Sequence, residues 1–592
     1  MPLAEAVAAF TSPGDHLHFA STPSRSNAAV RAVARHYRDS GPAFVLSTTG
    51  FHSTAHLLAL LGLGRRYLSC FFGDNYPQPR PNDLYTRLLR EGADLQHWSL
   101  RGYVEALRAG AQGLPYAVVP AQSPTTLTAE LAAAGRFHTV PDPAEPADPR
   151  RRVGLLAALR PDVAFLHAPL GDPTGRAAFF APYGEAHWGA AAAVRGAVVT
   201  VERVVEPAVL DAVPNASVLP PHRVLAVCPE PYGAHPQPLY VPAGLPATRY
   251  RDDVEHYLLW REAAGAPDRM RRFLDRVLAA EGPHGYRDAV GPGRLAALRS
   301  PAAAPPTRSS GRPPTPREAP PTPTELMIVR AARVIARQVE RRRYRVVLAG
   351  IGQSYDAARL ARRLLGERGT EVPVMVETGM YDVDCGPGGG TFPLGLEAVA
   401  GSRRLTGIED VLSTLTCGAD NRCLGVVGAA QIDPGGDINS TRTADGRHLV
   451  GSGGAHDIGS AADEVVVLTR CTPRRMVPRV DYVTTPGARV THVVTDSATF
   501  VRDLPRTPPP DGTVGLDGWS VRDLDPAAPR AYERCGWRPL PHRSTDLPWP
   551  VPTPRELRLL RALQRTGADE PDAPAPLFGA PPHAPDRRTT TP

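Results

Sequence analysis

One stretch, Pro301 to Pro323 (PAAAPPTRSSGRPPTPREAPPTP), constrains the fold more than any other. Its density of Pro, Ser and Thr leaves too little apolar surface to offset the entropy of ordering, so it is expected to be an extended linker. It divides the 592 residues into two halves of similar size. A chain of this length exceeds what a single hydrophobic core encloses, which makes two lobes, 1–300 and 324–567, the natural division. A second Pro-rich stretch, 568–592, reads as a disordered tail.

Each half alternates short apolar runs with helical patterns, the signature of an α/β lobe built on a mainly parallel sheet. In the first half the pattern predicts strands at His16–Ser21, Phe44–Thr49, Tyr67–Phe72, Val163–His167 and Val198–Val205, with helices at Ser53–Leu61 and Leu100–Ala111. The second half opens on a well-signalled helix. Thr322 is its N-cap, Pro323 takes the first helical position and Glu325 closes a capping box. A strand at Tyr344–Ala349 follows, and another, Val372–Val376, runs directly into Glu377-Thr378-Gly379.

Composition excludes some chemistry. All 67 residues counted as Lys+Arg are arginine, so the chain can neither form a Schiff base through lysine nor supply a P-loop lysine. Seven scattered cysteines never pair as CxxC, so neither a disulfide framework nor a zinc site is expected. His16 and His18 alternate on a strand and are not expected to bind metal, and no tightly bound cofactor is implied. A formal charge of +7 without an Arg-rich run gives no nucleic-acid signature. There is no apolar run of membrane-spanning length. The N-terminus carries acidic residues and no basic n-region, which leaves the cytoplasm as the expected compartment.

The chemistry-bearing stretch lies between Pro373 and Leu468. It contains VMVETGMYD (374–382), LGVVGAAQIDPGGDINSTRT (424–443) and GSGGAHDIGSAADEVVVL (451–468). A Glu at the carboxyl end of a strand stands where open α/β sheets bind ligands. With Gly379 allowing close backbone approach, such a carboxylate can attack a thioester and divide one hard displacement into two easier ones. The sequence GSGGAHDIG reads as a nest of backbone N–H groups able to hold negative charge on a thioester oxygen.

These strings resemble the beta half of the glutaconate-type branch of the family I CoA-transferases, over roughly residues 324–566. LRAGAQGLPYAVV (107–119), AFLHAPLGDPTG (164–175) and WGAAAAVRGAVVTVERVVEP (188–207) resemble the alpha half more loosely. The resemblance implies a fusion of the two halves in one chain, with two similar open-sheet α/β lobes. It also implies transfer of CoA between an acyl-CoA and a carboxylic acid by a ping-pong route through a glutamyl-CoA thioester. Glu377 then takes the nucleophile's role, and Gly379, Gly453, Gly454 and Ala455 line the acyl site. Gln431 and His456 are candidate substrate contacts, His456 standing where many members have Asn.

The alpha half of that family carries a Gly-rich loop near its N-terminus, whereas this chain has Phe19-Ala20-Ser21-Thr22-Pro23-Ser24-Arg25. Ser21 and Arg25 are therefore candidate substitutes. Glu105, on the helix before AGAQGLPY, reads as a solvated helix face, and the glycine-rich run after Cys385 as a flexible loop. Acyl-CoA and carboxylic acids are the implied partners, and a homo-oligomer is compatible with the sequence. Two other functions fit the same residues: hydrolysis or hydrolytic ring opening of an acyl-CoA, and non-catalytic binding of a CoA ester.

Overall fold

The computed structural model describes residues 1–21, 25–76, 78–120, 124–145, 148, 151–213, 215–264, 267–299, 320–386, 392–502, 519–523, 535–537 and 551–564. The expected linker up to residue 319, the tail from 568 and residues 387–390 of the loop after Cys385 lie outside them.

Two open sheets organise these residues. In the first half, seven strands run parallel in the order Asp94–His97, Gly64–Ser69, Phe44–Ser47, His16–Phe19, Val163–Gly171, Gly196–Val204, Val224–Pro229. Ala177–Phe179 adds antiparallel beside Val163–Gly171. In the second half the parallel order is Val374–Met375, Val346–Ala349, Cys423–Gly428, Glu464–Leu468, Val490–Val494. Thr499–Arg502 and Trp519–Arg522 extend that sheet antiparallel. A parallel sheet covered on both faces needs strands that are apolar throughout. Every residue of Val163–Gly171 and of Glu464–Leu468 is accordingly buried.

Each half has its own core: Leu17, Phe44, Leu46 and Phe165 in one, Ile328, Val347, Leu360 and Leu424 in the other. A further cluster joins Cys70, Leu100 and Val104 to Leu348, Met375 and Ile458. Apolar packing is therefore continuous across the junction of the halves.

Local signals and observed elements agree where the cause is local. The helix Leu100–Ala111 has the expected limits, with the Ser99 hydroxyl accepting from the Gly102 amide. The helix Pro323–Arg342 starts with the expected reciprocal capping box between Thr322 and Glu325. The helix Pro554–Gln564 repeats that device: Thr553 and Glu556 cap each other, in the same T-P-x-E-L string. The two helices are then cross-tied, since Arg561 reaches Glu325 at 2.6 Å and Arg333 reaches Glu556 at 2.6 Å. Thr322→Ala is expected to lower stability by about 1 kcal/mol, read as a shift in denaturant midpoint at unchanged slope.

Two expected strands are altered. Val372–Val376 shortens to Val374–Met375, because Pro373 accepts from the Val347 amide but has no N–H to continue the ladder. Tyr67–Phe72 is divided into Gly64–Ser69 and Phe71–Phe72, with the break at Cys70. Among the described residues no helix is long and apolar enough to cross a membrane.

Candidate active site

Glu377 lies just past the carboxyl end of the edge strand Val374–Met375, in a tight turn closed by the Gly379 and Met380 amides on the Val376 carbonyl. Gly379 is required there for two reasons. Its φ is +102°, and a Cβ would stand 2.2 Å from the Thr406 carbonyl oxygen. The Glu377 side chain turns inward and the residue is only 8% exposed.

It meets the loop 451–457. A Cβ on Gly454 would lie 2.0 Å from Glu377 Oε2, so the carboxylate rests directly on that backbone, and the Gly454 amide donates to it. Burial, with the neighbouring Asp457 carboxylate, pushes the Glu377 carboxyl up to about 7, against the pull of that amide. Of the three amides expected to form the nest, Gly454's is the one directed at the carboxylate. The Gly453 amide donates to the Cys70 carbonyl (2.9 Å) and the Ala455 amide to the Ser452 carbonyl (2.9 Å).

The same loop is anchored on the first half. The Phe72 amide donates to Val450 O (2.7 Å), the Ser452 hydroxyl to Trp98 O (2.7 Å) and the Arg101 amide to Asp457 Oδ2 (2.9 Å). This explains the break in the strand before Phe71, since the Cys70 carbonyl serves the other half. A second connection passes through the turn after Pro182. The Tyr183 amide donates to Thr406 O at 3.0 Å, and Pro182 packs within 3.3 Å of a Cβ built on Gly379. That turn delivers Glu185, which sequence reasoning missed.

Glu185 is fully buried. Its Oε1 accepts from the Ser21 amide at 2.6 Å, and its Oε2 has no partner among the described residues. Burial pushes its carboxyl up to about 8. Arg25 is also buried, with Nη1 on Gly50 O (3.3 Å) and Nη2 shared by Ser21 Oγ and His52 Nε2. Ser21, Arg25 and Glu185 thus form one cluster in the first half.

The remaining expected residues have other surroundings. Gln431 lies on a short hairpin, its amide accepting from Asn439 across the hairpin (2.6 Å) and donating to Asp481 of a later segment (3.0 Å). His456 is wholly buried, its ring making no hydrogen bond among the described residues. The Glu105 expectation is corrected: its side chain is 12% exposed, not solvated, and accepts from the Ser413 hydroxyl of the other half. Packing between halves, invisible in one helix's pattern, covers it.

A buried group, His235, Asp253 and His256, also escaped the sequence analysis. It has the proximity a metal ion needs, but Arg294 holds both oxygens of Asp253 and the Tyr286 hydroxyl meets His235 Nδ1. Its carboxylate is thus already neutralised.

Residues 1–224 match the family model described as Coenzyme A transferase. The chain is 30% identical over 164 residues to one of the subunits of glutaconate CoA-transferase from Acidaminococcus fermentans, covering 26% of this chain and 58% of the relative. The first half of the chain is thus similar to the coenzyme A transferase family. It is also 29% identical over 170 residues to one of the subunits of 3-oxoadipate CoA-transferase from Pseudomonas knackmussii, covering 29% of this chain and 54% of that relative. It therefore spans little more than half the length of these curated relatives. An acyl-CoA transferase from Escherichia coli O157:H7 shares the fold across both halves, with a TM-score of 0.62 at 14% identity, covering 91% of this chain and 93% of the other. The family match falls on the half where the sequence resemblance is looser. It includes Ser21, Arg25, Cys70 and Glu185.

Proposed function

We propose that this chain is a fused two-lobe CoA-transferase that moves CoA from an acyl-CoA to a carboxylic acid, with Glu377 as nucleophile. The observation that carries the reading is a buried carboxylate at a strand end, set against the Gly454 amide at the junction of the halves. Glu377 attacks the thioester carbonyl, the C–S bond breaks, and CoA leaves as thiolate from an acyl–glutamyl anhydride. The thiolate then attacks the glutamyl carbonyl. The donor acid departs as carboxylate and CoA stays as a glutamyl thioester, which the acceptor carboxylate resolves by the same steps in reverse. The Gly454 amide is placed to stabilise charge developing at the glutamyl oxygens. Solved relatives support a CoA-thioester chemistry for this fold, one being the E. coli acyl-CoA transferase in a thioester complex with CoA.

Attack requires the ionised carboxylate, so with the Glu377 carboxyl near 7 the rate of adduct formation is expected to rise with pH through about 7 and level off above it. Asp457→Asn removes the neighbouring negative charge and is expected to move the midpoint to lower pH. Single-turnover rates between pH 5.5 and 8.5 check both statements, and a flat profile would contradict them. Folding has its own sign. A carboxyl raised in the folded state favours folding fully below its unfolded value of 4.5, and that contribution is lost as pH rises through about 7.

A further inference from the structure

A cavity of about 360 Å³ opens between the halves, at the other end of the second sheet from Glu377. Arg422, Asp463 and Arg489 line it, and each immediately precedes one of the adjacent parallel strands Cys423–Gly428, Glu464–Leu468 and Val490–Val494. The cavity therefore sits at the amino ends of these strands, whereas Glu377 follows the carboxyl end of Val374–Met375. Arg101, Val119 and Pro120 close it from the first half. Small-molecule sites occupy about 300–1,000 Å³, so the space suits a small organic ligand.

The lining is charged and incompletely satisfied. The Arg489 side chain makes no hydrogen bond or ion pair among the described residues. Arg101 gives Nη1 to the Cys417 sulfur at 3.2 Å, while its Nε and the Ser460 hydroxyl are buried without a partner there. The acidic residues on the same walls are already held. Asp420 pairs with Arg345 (2.8 Å), Asp457 accepts from the Arg101 amide (2.9 Å) and Asp463 from the Cys423 amide (2.7 Å). Two guanidinia thus remain for an anionic group, which their planar donor forks fit. Asp457 and Asp463 disfavour a bare anion and suit one that also carries hydroxyl donors. The wall itself is specially shaped, with left-handed backbone at Asp420 (φ +59°) and Arg422 (φ +48°), a conformation that persists only where its surroundings enforce it.

We propose that this cavity is a second ligand site, separate from Glu377, for a small hydroxylated anion, a phosphate ester or a hydroxy acid, whose anionic group is taken by Arg101 and Arg489. Both halves supply the lining, so the ligand stabilises the paired halves by mass action. The inference stands on the cavity and does not depend on the reading of Glu377 as nucleophile.

Calorimetric titration of the full chain with ribose 5-phosphate, tartrate and ribose reads the site. One or both anions are expected to bind, neutral ribose is not, and the anion that binds identifies the group recognised. At about a hundred times Kd, that anion is expected to raise the melting temperature by a few degrees. Arg489→Gln is expected to weaken binding by at least about tenfold with little change in the unliganded melting temperature, and Arg489→Lys to recover part of the affinity. In the unaltered chain the bound anion is also expected to slow alkylation of Cys417, an exposed thiol of the cavity wall, as read by peptide mass spectrometry. Failure of both anions to bind overturns the proposal, as does ribose binding as tightly as its phosphate. Binding that Arg489→Gln leaves intact, or that excess desulfo-CoA displaces, overturns it as well.

Discussion

Glu377→Gln is expected to abolish the covalent CoA adduct and to lower transfer by at least about 10⁴-fold. Glutamine matches the carboxylate in size and keeps a carbonyl oxygen for the Gly454 amide, so the junction around it is retained. What it lacks is the anionic oxygen that attacks the thioester. Incubation with acyl-CoA in the absence of acceptor, followed by mass spectrometry of the peptide spanning 374–383, reads the step directly. A CoA adduct that persists in the variant, or that maps to another residue, removes Glu377 from the mechanism.

Gly454→Ala is expected to lower kcat by about 10²- to 10³-fold while costing only about 1–3 kcal/mol of stability. The added methyl group would stand 2.0 Å from Glu377 Oε2. The atom it meets is the far end of a side chain, which can rotate away at small cost to folding. Its position is nevertheless what the proposed reaction depends on, and a displaced carboxylate no longer aligns with the thioester carbonyl. Paired measurement of kcat and denaturant midpoint separates the two effects. Equal losses in both would mean that Gly454 serves only the packing of the loop.

The sequence was most informative where the governing interactions are local. The capping box at Thr322, the helix Leu100–Ala111 and the run from an apolar strand into Glu377 depend on residues close in the chain, and each is present in the structure. The T-P-x-E-L string recurs at 553–557, a second local signal of the same kind. Glu185 was hidden for the opposite reason. The string PYGEAHWG has no catalytic spacing, and the importance of its carboxylate comes from the turn after Pro182 being laid against Thr406. Cys70 was hidden in the same way, inside what reads as one uninterrupted strand. Gln431 shows surroundings that the motif does not convey. Its amide meets Asn439 within the hairpin and Asp481 from a later segment, contacts that the spacing of the motif does not announce.

The loop 451–457 belongs to the second half by sequence, yet its shape is imposed by carbonyls and amides of the first: Cys70, Phe72, Trp98 and Arg101. The backbone on which Glu377 rests is consequently an emergent property of the mated pair. A half-chain produced by itself would keep its sheet and its glutamate while lacking the template that sets the glycines. Because both halves lie in one chain, each molecule carries the contacts that shape this loop.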